Sequence, residues 1–172
     1  MKSADPLAWV HFFEDDYKIE RLWNRSAQYL ARLRGFAGVI GPDFSVYRNM
    51  PRAQKVWNTY RNFLLAARMQ ADGVSTIPNV RLSGRKSIPY ALAGVPHRST
   101  LALGLNGCTR ERGNRAHVFE EVRLICDLCD PVNLVVYGSD AYGVLDYPRE
   151  LGIPVHIYRP DSFGRSAERT AA

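Results

Sequence analysis

Several features common in membrane and secreted proteins are scarce in this sequence. It has no run of about 18 apolar residues, and its first twenty residues carry acids where a signal peptide has a long apolar segment. It has only three cysteines, Cys108, Cys126 and Cys129, and so small and odd a number does not indicate a disulfide framework. The sequence therefore predicts a cytoplasmic protein with free thiols and no membrane partner.

Signatures of common cofactors are also missing. The turn "GLNGCTRERGN" at residues 104–114 lacks the GKS or GKT ending of a P-loop and the G-x-G-x-x-G of a dinucleotide fold, so no nicotinamide or flavin motif is present. "CDLC" at residues 126–129 falls on the apolar stripe of a predicted helix, and the four histidines have no spacing that would complete a zinc site. We expect buried core thiols rather than zinc.

Lysine is scarce, and arginine supplies most of the positive charge. Only four of the 23 basic residues are lysines, while the net charge is +6. Arginine is the better bidentate partner for phosphate, so a phosphate-bearing ligand fits this composition. Residues 104–114 follow a predicted strand and precede a predicted helix, so their backbone N–H groups could cradle a phosphate beside Arg110, Arg112 or Arg115.

The residues that are present favour an α/β fold. Continuous apolar runs, typical of strands covered on both faces, occur at residues 9–13, 36–40, 74–80, 100–105, 133–138 and 154–158. Helical segments lie between them, which predicts a three-layer domain with an open, mainly parallel sheet of five or six strands flanked by helices. An incomplete β/α barrel is the alternative. We expect one domain over residues 1–160 and a disordered tail over residues 161–172.

Helical periodicity is clearest between Pro51 and Gly73. Residues at helical spacing predict an inward face made of Ala53, Val56, Trp57, Tyr60, Leu64, Ala67 and Ala71. The opposite face would then turn Asn58, Arg61 and Asn62 outward. Further helices are predicted over residues 114–129, capped by Asn114, and over residues 17–33, broken near residues 24–26, with short helical turns at 86–93 and 142–150.

Polar residues collect where the predicted strands end. Because ligands of parallel α/β proteins bind at the carboxyl ends of strands, this pattern predicts a ligand cleft there. The candidate ligand-binding residues are Asn79, Arg81, Asn106, Cys108 and Ser139, together with Arg61 of the long helix. Each also has a structural interpretation, such as a turn or a helix cap.

Asp15, Asp16 and Asp43 are the candidate catalytic residues. They would hold Mg²⁺ through carboxylate oxygens if the first two strands are neighbours. The strand positions also place Asp43 within about 10 Å of Asn79 or Arg81. An Arg81 partner for Asp43 would support ligand binding, whereas a neighbouring Asp15 or Asp16 would support a metal site. If Asp43 lies in an open cleft, its replacement should cost little stability.

Several stretches resemble one known family. They are "FEDDYKIERLW", "FAGVIGPDFSVYRNMP", "VWNTYRN", "STIPNVR" and "VVYGS", and they resemble a phage and mobile-element family catalogued as domain of unknown function 4417 over residues 12–138. Gly41 stands where this family leads us to expect serine. The resemblance implies a phage, prophage or integrative-element origin and assigns no activity and no site residues.

Three classes of function are therefore open. The first is binding of a phosphate-bearing ligand, a nucleotide or a nucleic acid, in the cleft at the strand ends. The second is a Mg²⁺-dependent hydrolase or nuclease that uses the clustered aspartates. The third is a protein that docks onto host machinery.

Overall fold

The computed structural model describes residues 5–160 of the chain. The chain folds into two compact units, with the division between residues 96 and 97. Each unit contains one sheet of three parallel strands. None of the helices within residues 5–160 combines the length and apolar character needed to cross a bilayer.

The first unit places its three strands side by side in chain order. In this sheet Trp9 pairs with Gly38 and Val39 pairs with Thr76, both in parallel register. The elements of the unit are β1 (Trp9–Val10), α1 (Asp16–Asn24), α2 (Ser26–Leu33), β2 (Gly38–Ile40), α3 (Arg52–Ala71), β3 (Thr76–Ile77), a 3₁₀ turn (Arg85–Ser87) and α4 (Ile88–Ala91).

Helices α1, α2 and α3 pack their apolar residues against the sheet of the first unit. The core contains Ile19, Leu22, Leu30, Leu33, Val39, Phe44, Leu65, Met69 and Val74. The predicted break in the first helical segment is confirmed, because Arg25 adopts a non-helical conformation between α1 and α2. The predicted bounds of α3 are also confirmed: Pro51 precedes the helix, and Gly73 follows it with a φ of +80°.

The second unit repeats the parallel arrangement, again in chain order. Residues Thr100–Gly104 of its first strand pair with Asn133–Tyr137 of the next over five positions. The elements are β4 (Thr100–Gly104), α5 (Arg112–Cys129), β5 (Asn133–Tyr137), a 3₁₀ turn (Ala141–Gly143), α6 (Asp146–Glu150) and β6 (Val155–Tyr158). The predicted cap of α5 is wrong, since Glu111 holds the N-cap position and Asn114 lies within the helix.

The cysteines of α5 are buried, as the sequence predicts. Cys126 is 3% exposed and Cys129 is 2% exposed, within a core that also contains Val122 and Ile125. Burial raises the pKa of the Cys126 thiol to about 12, helped by the charge of Asp127 and by the neighbouring Cys129. Burial likewise raises the pKa of the Cys129 thiol. These thiols stay protonated at neutral pH, which suits a place in the core.

The prediction of one sheet with five or six strands is wrong, although the α/β class and the parallel pairing are confirmed. The six strands form two sheets of three, ordered β1-β2-β3 and β4-β5-β6. β3 has only two residues, and Pro78 follows it directly without a backbone N–H to extend a ladder. A single domain over residues 1–160 stays a prediction, and the predicted tail at residues 161–172 lies outside the described residues.

Candidate functional site

In the first unit, the residues that follow β2 and β3 meet as the sequence predicts. Arg81 donates to Asp43 through two nitrogens, Nε to Oδ1 at 2.8 Å and Nη2 to Oδ2 at 2.6 Å. This fork geometry is the strongest form of an arginine–carboxylate pair. The Asp43 side chain is 10% exposed and that of Arg81 is 22% exposed, so the pair is largely removed from water.

Asn79 completes this cluster at the carboxyl end of β3. Its Nδ2 donates to Asp43 Oδ1 at 2.8 Å and to the carbonyl oxygen of Pro42 at 3.2 Å. Because both partners are acceptors, the amide orientation is fixed. Asn79 Oδ1 is then buried without a hydrogen-bond partner among the described residues. The cluster thus presents a carboxylate and an amide oxygen, which are both acceptors.

The three candidate aspartates have different hydrogen-bond or ion-pair partners. Asp16 Oδ1 accepts hydrogen bonds from the backbone N–H of Ser45 at 3.0 Å and from its Oγ at 2.9 Å. Asp15 has an exposed side chain, 3.4 Å from Lys18 Nζ. Asp43 is already committed to Arg81 and Asn79. Within residues 5–160, no three His, Cys, Asp or Glu side chains are grouped so that they could hold a metal ion.

The inward face of α3 differs from the predicted one. Asn58, Arg61 and Asn62 are 2%, 7% and 7% exposed, whereas Trp57 and Tyr60 are 48% and 51% exposed. The predicted orientation of this helix is therefore reversed along its whole length. The reason lies in the segment after β2, whose backbone needs hydrogen-bond partners once it is buried.

Two asparagines of α3 supply those partners. Asn62 Oδ1 accepts from the backbone N–H of Phe44 at 2.8 Å, and Asn62 Nδ2 donates to the carbonyl of the same residue at 3.2 Å. Asn58 Nδ2 donates to the carbonyl of Ser45 at 2.6 Å. The two asparagines are four residues apart on one face, so together they hold the segment 44–45 against the helix.

Arg61, a candidate ligand-binding residue, lies in the same buried network. Its Nη1 forms an ion pair with Glu20, and its Nη2 donates to Asn58 Oδ1 at 2.7 Å. The guanidinium also stacks 3.6 Å above the centre of the Phe44 ring. Sequence reasoning missed this role. The signal it offered was the pair of asparagines at i and i+4 with an arginine between them.

In the second unit, Asn106 and Ser139 follow neighbouring strand ends. A Cβ atom added to Gly138 would lie 2.7 Å from the backbone nitrogen of Asn106, and Gly138 has a φ of +143°. Glycine is therefore required where β5 ends. Cys108 lies near this edge, half-buried, and its Sγ contacts the carbonyl oxygen of Gly104 at 3.5 Å. Cys108 is more exposed than the other two cysteines, as predicted.

The turn at residues 104–114 leads from β4 into α5. Gly107 has a φ of +76°, and the backbone nitrogen of Arg110 donates to the Gly107 carbonyl at 3.2 Å. The N-cap residue Glu111 makes no side-chain capping bond to α5, and Arg110 and Arg112 are exposed. The backbone N–H of Asn114 donates to the Glu111 carbonyl at 3.0 Å, whereas those of Arg112 and Gly113 have no partner within the helix.

Arg115 fixes the base of this turn. Its Nε donates to the Thr109 carbonyl at 3.0 Å, and its guanidinium lies 3.5 Å above the Tyr142 ring. Asp140, beyond β5, accepts from the backbone N–H of Leu145 at 3.1 Å and pairs with Arg149. Asp140 is therefore paired. Glu111 of the turn accepts from Asn114 Nδ2 at 2.9 Å, and its neighbours Arg110 and Arg112 are exposed.

Parallel βα units with polar residues after their strands define an α/β protein with its candidate site at the carboxyl edges. The family model described as Domain of unknown function (DUF4417) matches residues 1–149, and the chain belongs to that family. This confirms the resemblance found in the sequence.

Two curated relatives are phage proteins. "Gene 1 protein" of Mycobacterium phage D29 is 30% identical over 133 residues, which cover 77% of this chain and 49% of that protein. "Gene 1 protein" of Mycobacterium phage L5 is 30% identical over 130 residues, which cover 76% of this chain and 57% of that protein. The chain thus spans about half the length of these relatives. No solved structure matches it.

Proposed function

We propose that this protein of a phage family binds a phosphate-bearing ligand, a nucleotide or a nucleic acid, at the carboxyl ends of β4 and β5. The observation that carries the proposal is the turn at residues 104–114. It ends at a helix with no side-chain cap, and it presents Arg110 and Arg112 to solvent. The N–H groups of Arg112 and Gly113 and the positive end of the helix dipole favour an anion. The two exposed guanidinium groups add directed donors and outnumber the single carboxylate of Glu111.

The carboxyl edge of the first unit is a poorer place for phosphate. Asp43 brings a negative charge there, and the unpartnered oxygen of Asn79 is an acceptor that a phosphate oxygen would repel. Arg81 is the partner of Asp43 that we expected to support ligand binding, but the fork between the two side chains is largely buried and occupies both of them. The proposal therefore narrows the predicted cleft to the second unit.

The alternative of a Mg²⁺-dependent hydrolase or nuclease has less support. Asp16 is hydrogen-bonded to Ser45, Asp43 is paired with Arg81, and Asp15 is exposed beside Lys18. Cleavage of DNA, RNA or a nucleotide with Mg²⁺ or Mn²⁺ would restore this alternative if the cleavage is lost in Asp43→Asn.

The proposal locates the protein in the cytoplasm, because its three cysteines are free thiols. Docking onto a host protein is the third alternative.

Calorimetric titration with ATP and with inorganic triphosphate tests the proposed function. We expect binding at low salt that weakens as salt rises, and about tenfold weaker binding in the double variant Arg110→Ala/Arg112→Ala. Arg32→Ala/Arg48→Ala is the matched control, because it removes the same charge from exposed arginines of the first unit. Equal affinity of the two double variants, or no heat with either probe, would overturn the proposal.

A further inference from the structure

Helix α3 turns aromatic residues toward solvent. The rings of Trp57 and Tyr60 stack with centroids 5.6 Å apart and an angle of 25° between their planes. Trp23 of α1 meets Trp57 edge-on, also at 5.6 Å. About half of the surface of Trp57 and of Tyr60 is exposed. We call Trp23, Trp57 and Tyr60 the aromatic face.

The buried side of α3 holds this face in place. Arg61 lies beneath it, with its guanidinium carbon 5.7 Å from the centre of the Trp57 ring and 5.9 Å from that of Trp23. Arg61 is itself fixed by Glu20 and Asn58. The rings are therefore preorganised and lose little conformational freedom when a flat ligand stacks on them.

The charge on helix α3 has one sign. This helix contains four basic residues and no acidic residue, and Glu20 of α1, next to the aromatic face, is ion-paired with the buried arginine of α3. Two exposed arginines bound the apolar stripe of α3: Arg52 lies four residues before Val56, and Arg68 lies four residues after Leu64. Two copies joined through α3 would bring like charges together, which disfavours self-association. A polyanion would be attracted.

We propose that the aromatic face binds single-stranded nucleic acid. Bases stack on the outer surfaces of Trp57 and Tyr60, and phosphates contact Arg52 and Arg68. A single strand is required because bases within a duplex have no free π-face, and aromatic platforms on a basic surface are how proteins hold such strands. Arg52 and Arg68 are separated by roughly 24 Å along the helix, at about 1.5 Å per residue. This span is long enough for several nucleotides.

The inference does not rest on the proposed function, because it uses no residue of the turn at 104–114. The test is tryptophan fluorescence of the full chain titrated with an oligonucleotide of twelve thymidines. An abasic deoxyribose-phosphate strand of equal length is the second probe. We expect quenching by the thymidine strand and at least about tenfold weaker binding of the abasic strand, which can contact the arginines but cannot stack.

Matched variants test whether the thymidine strand contacts the aromatic face. Trp57→Leu/Tyr60→Leu keeps apolar bulk without aromatic rings, and we expect about tenfold or greater loss of affinity for the thymidine strand, measured by anisotropy of a labelled strand. Tyr158→Leu, at an exposed tyrosine of the second unit, is the control and should bind as the unchanged protein does. Arg110→Ala/Arg112→Ala should keep the preference for thymidine over the abasic strand, whether or not the turn binds phosphate.

Three results would overturn the inference. The first is equal affinity for the two strands, and the second is unchanged thymidine binding in Trp57→Leu/Tyr60→Leu. The third is a change in mass by sedimentation equilibrium, from dimer to monomer in that variant, with oligonucleotide affinity unaltered. The last result would assign the aromatic face to a second copy of the chain. Circular dichroism melts of all three variants confirm that the compared proteins are folded.

Discussion

The two units carry the same sheet topology, yet their carboxyl edges differ. In the first unit the edge is closed by side-chain hydrogen bonds among buried residues, with Asp43, Asn79 and Asn62 all less than 10% exposed. In the second unit the edge is built from a glycine-containing turn whose arginines are exposed. Polar residues after the strands are therefore buried in the first unit, where they hold the chain together, and exposed on the turn of the second unit, where we propose that a ligand binds.

Removal of Asp43 from the carboxyl edge of the first unit should have the largest effect on stability. Asp43→Ala leaves the Arg81 guanidinium and the Asn79 amide without their shared partner in a poorly hydrated place. We expect the free energy of unfolding to fall by about 3 kcal/mol, measured by urea denaturation. If Asp43 lay in an open cleft, its replacement would cost little stability; its exposure of 9% favours the larger loss.

Asp15→Ala is the matched control for this variant. Its carboxylate is exposed, so the free energy of unfolding should change by less than about 0.5 kcal/mol. An equally small change in the free energy of unfolding for the two variants would mean that the fork between Asp43 and Arg81 does not stabilise the first unit.

A methyl group at the end of β5 should have the next largest effect. Gly138→Ala combines an unfavourable φ of +143° with a Cβ contact of 2.7 Å to backbone. The expected loss of unfolding free energy is about 2 kcal/mol, visible as a lower melting temperature. Gly94→Ala is the control, since that position has open space around it. Similar melting temperatures would show that β4 and β5 do not approach so closely at this edge.

Alkaline pH should destabilise the second unit through its buried thiols. The folded pKa of Cys126, about 12, lies above its ordinary value of 9.0, so the neutral thiol favours the folded state. This stabilisation is complete below pH 9 and is lost as the pH rises toward 12. The slope is on the order of 1 kcal/mol per pH unit for one thiol. Cys126→Ala should have a shallower loss of stability between pH 9 and 11 than the unchanged protein.

Alkylation gives an independent check on the same thiols. Iodoacetamide at pH 8 should modify Cys108 first, and Cys126 and Cys129 only after unfolding, as followed by mass spectrometry. Reaction of all three at one rate would contradict the burial of the α5 cysteines.

The ion pair at the carboxyl edge of the second unit should contribute least to stability. Arg149 pairs with Asp140 and lies 3.5 Å from Asp146, but its side chain is 44% exposed. Arg149→Ala should lower the free energy of unfolding by about 0.5 kcal/mol, and added salt should reduce the difference further. A loss as large as that of Asp43→Ala would remove the energetic contrast between the two edges.

The sequence predicted where elements begin and end better than which way they face. The bounds of α3 follow from Pro51 and Gly73, and the meeting of Asp43 with Arg81 follows from the alignment of parallel strand ends. The inward face of α3 could not be found in this way. Val56, Trp57 and Tyr60 have the same helical spacing whether they point to a core or to solvent. The burial of Asn58 and Asn62 depends on the backbone of another segment.

The pairing of the strands was the other feature that could not be predicted from the sequence. Apolar runs locate strands, but they do not say which strands share a sheet, and β3 retains only Thr76 and Ile77 of a seven-residue run. The three aspartates were grouped by their positions after β1 and β2. Which partner each carboxylate takes depends on side-chain geometry, and Ser45 and Arg81 take two of them.

Strand order that follows chain order has a consequence for synthesis on the ribosome. The first sheet needs nothing beyond Ile77, whereas β5 ends at Tyr137. Translation at about 5–20 residues per second gives the first sheet a lead of roughly 3–12 s, longer than small domains typically need to fold. Asn58 and Asn62 can therefore close over the segment after β2 while the second half of the chain is still being made.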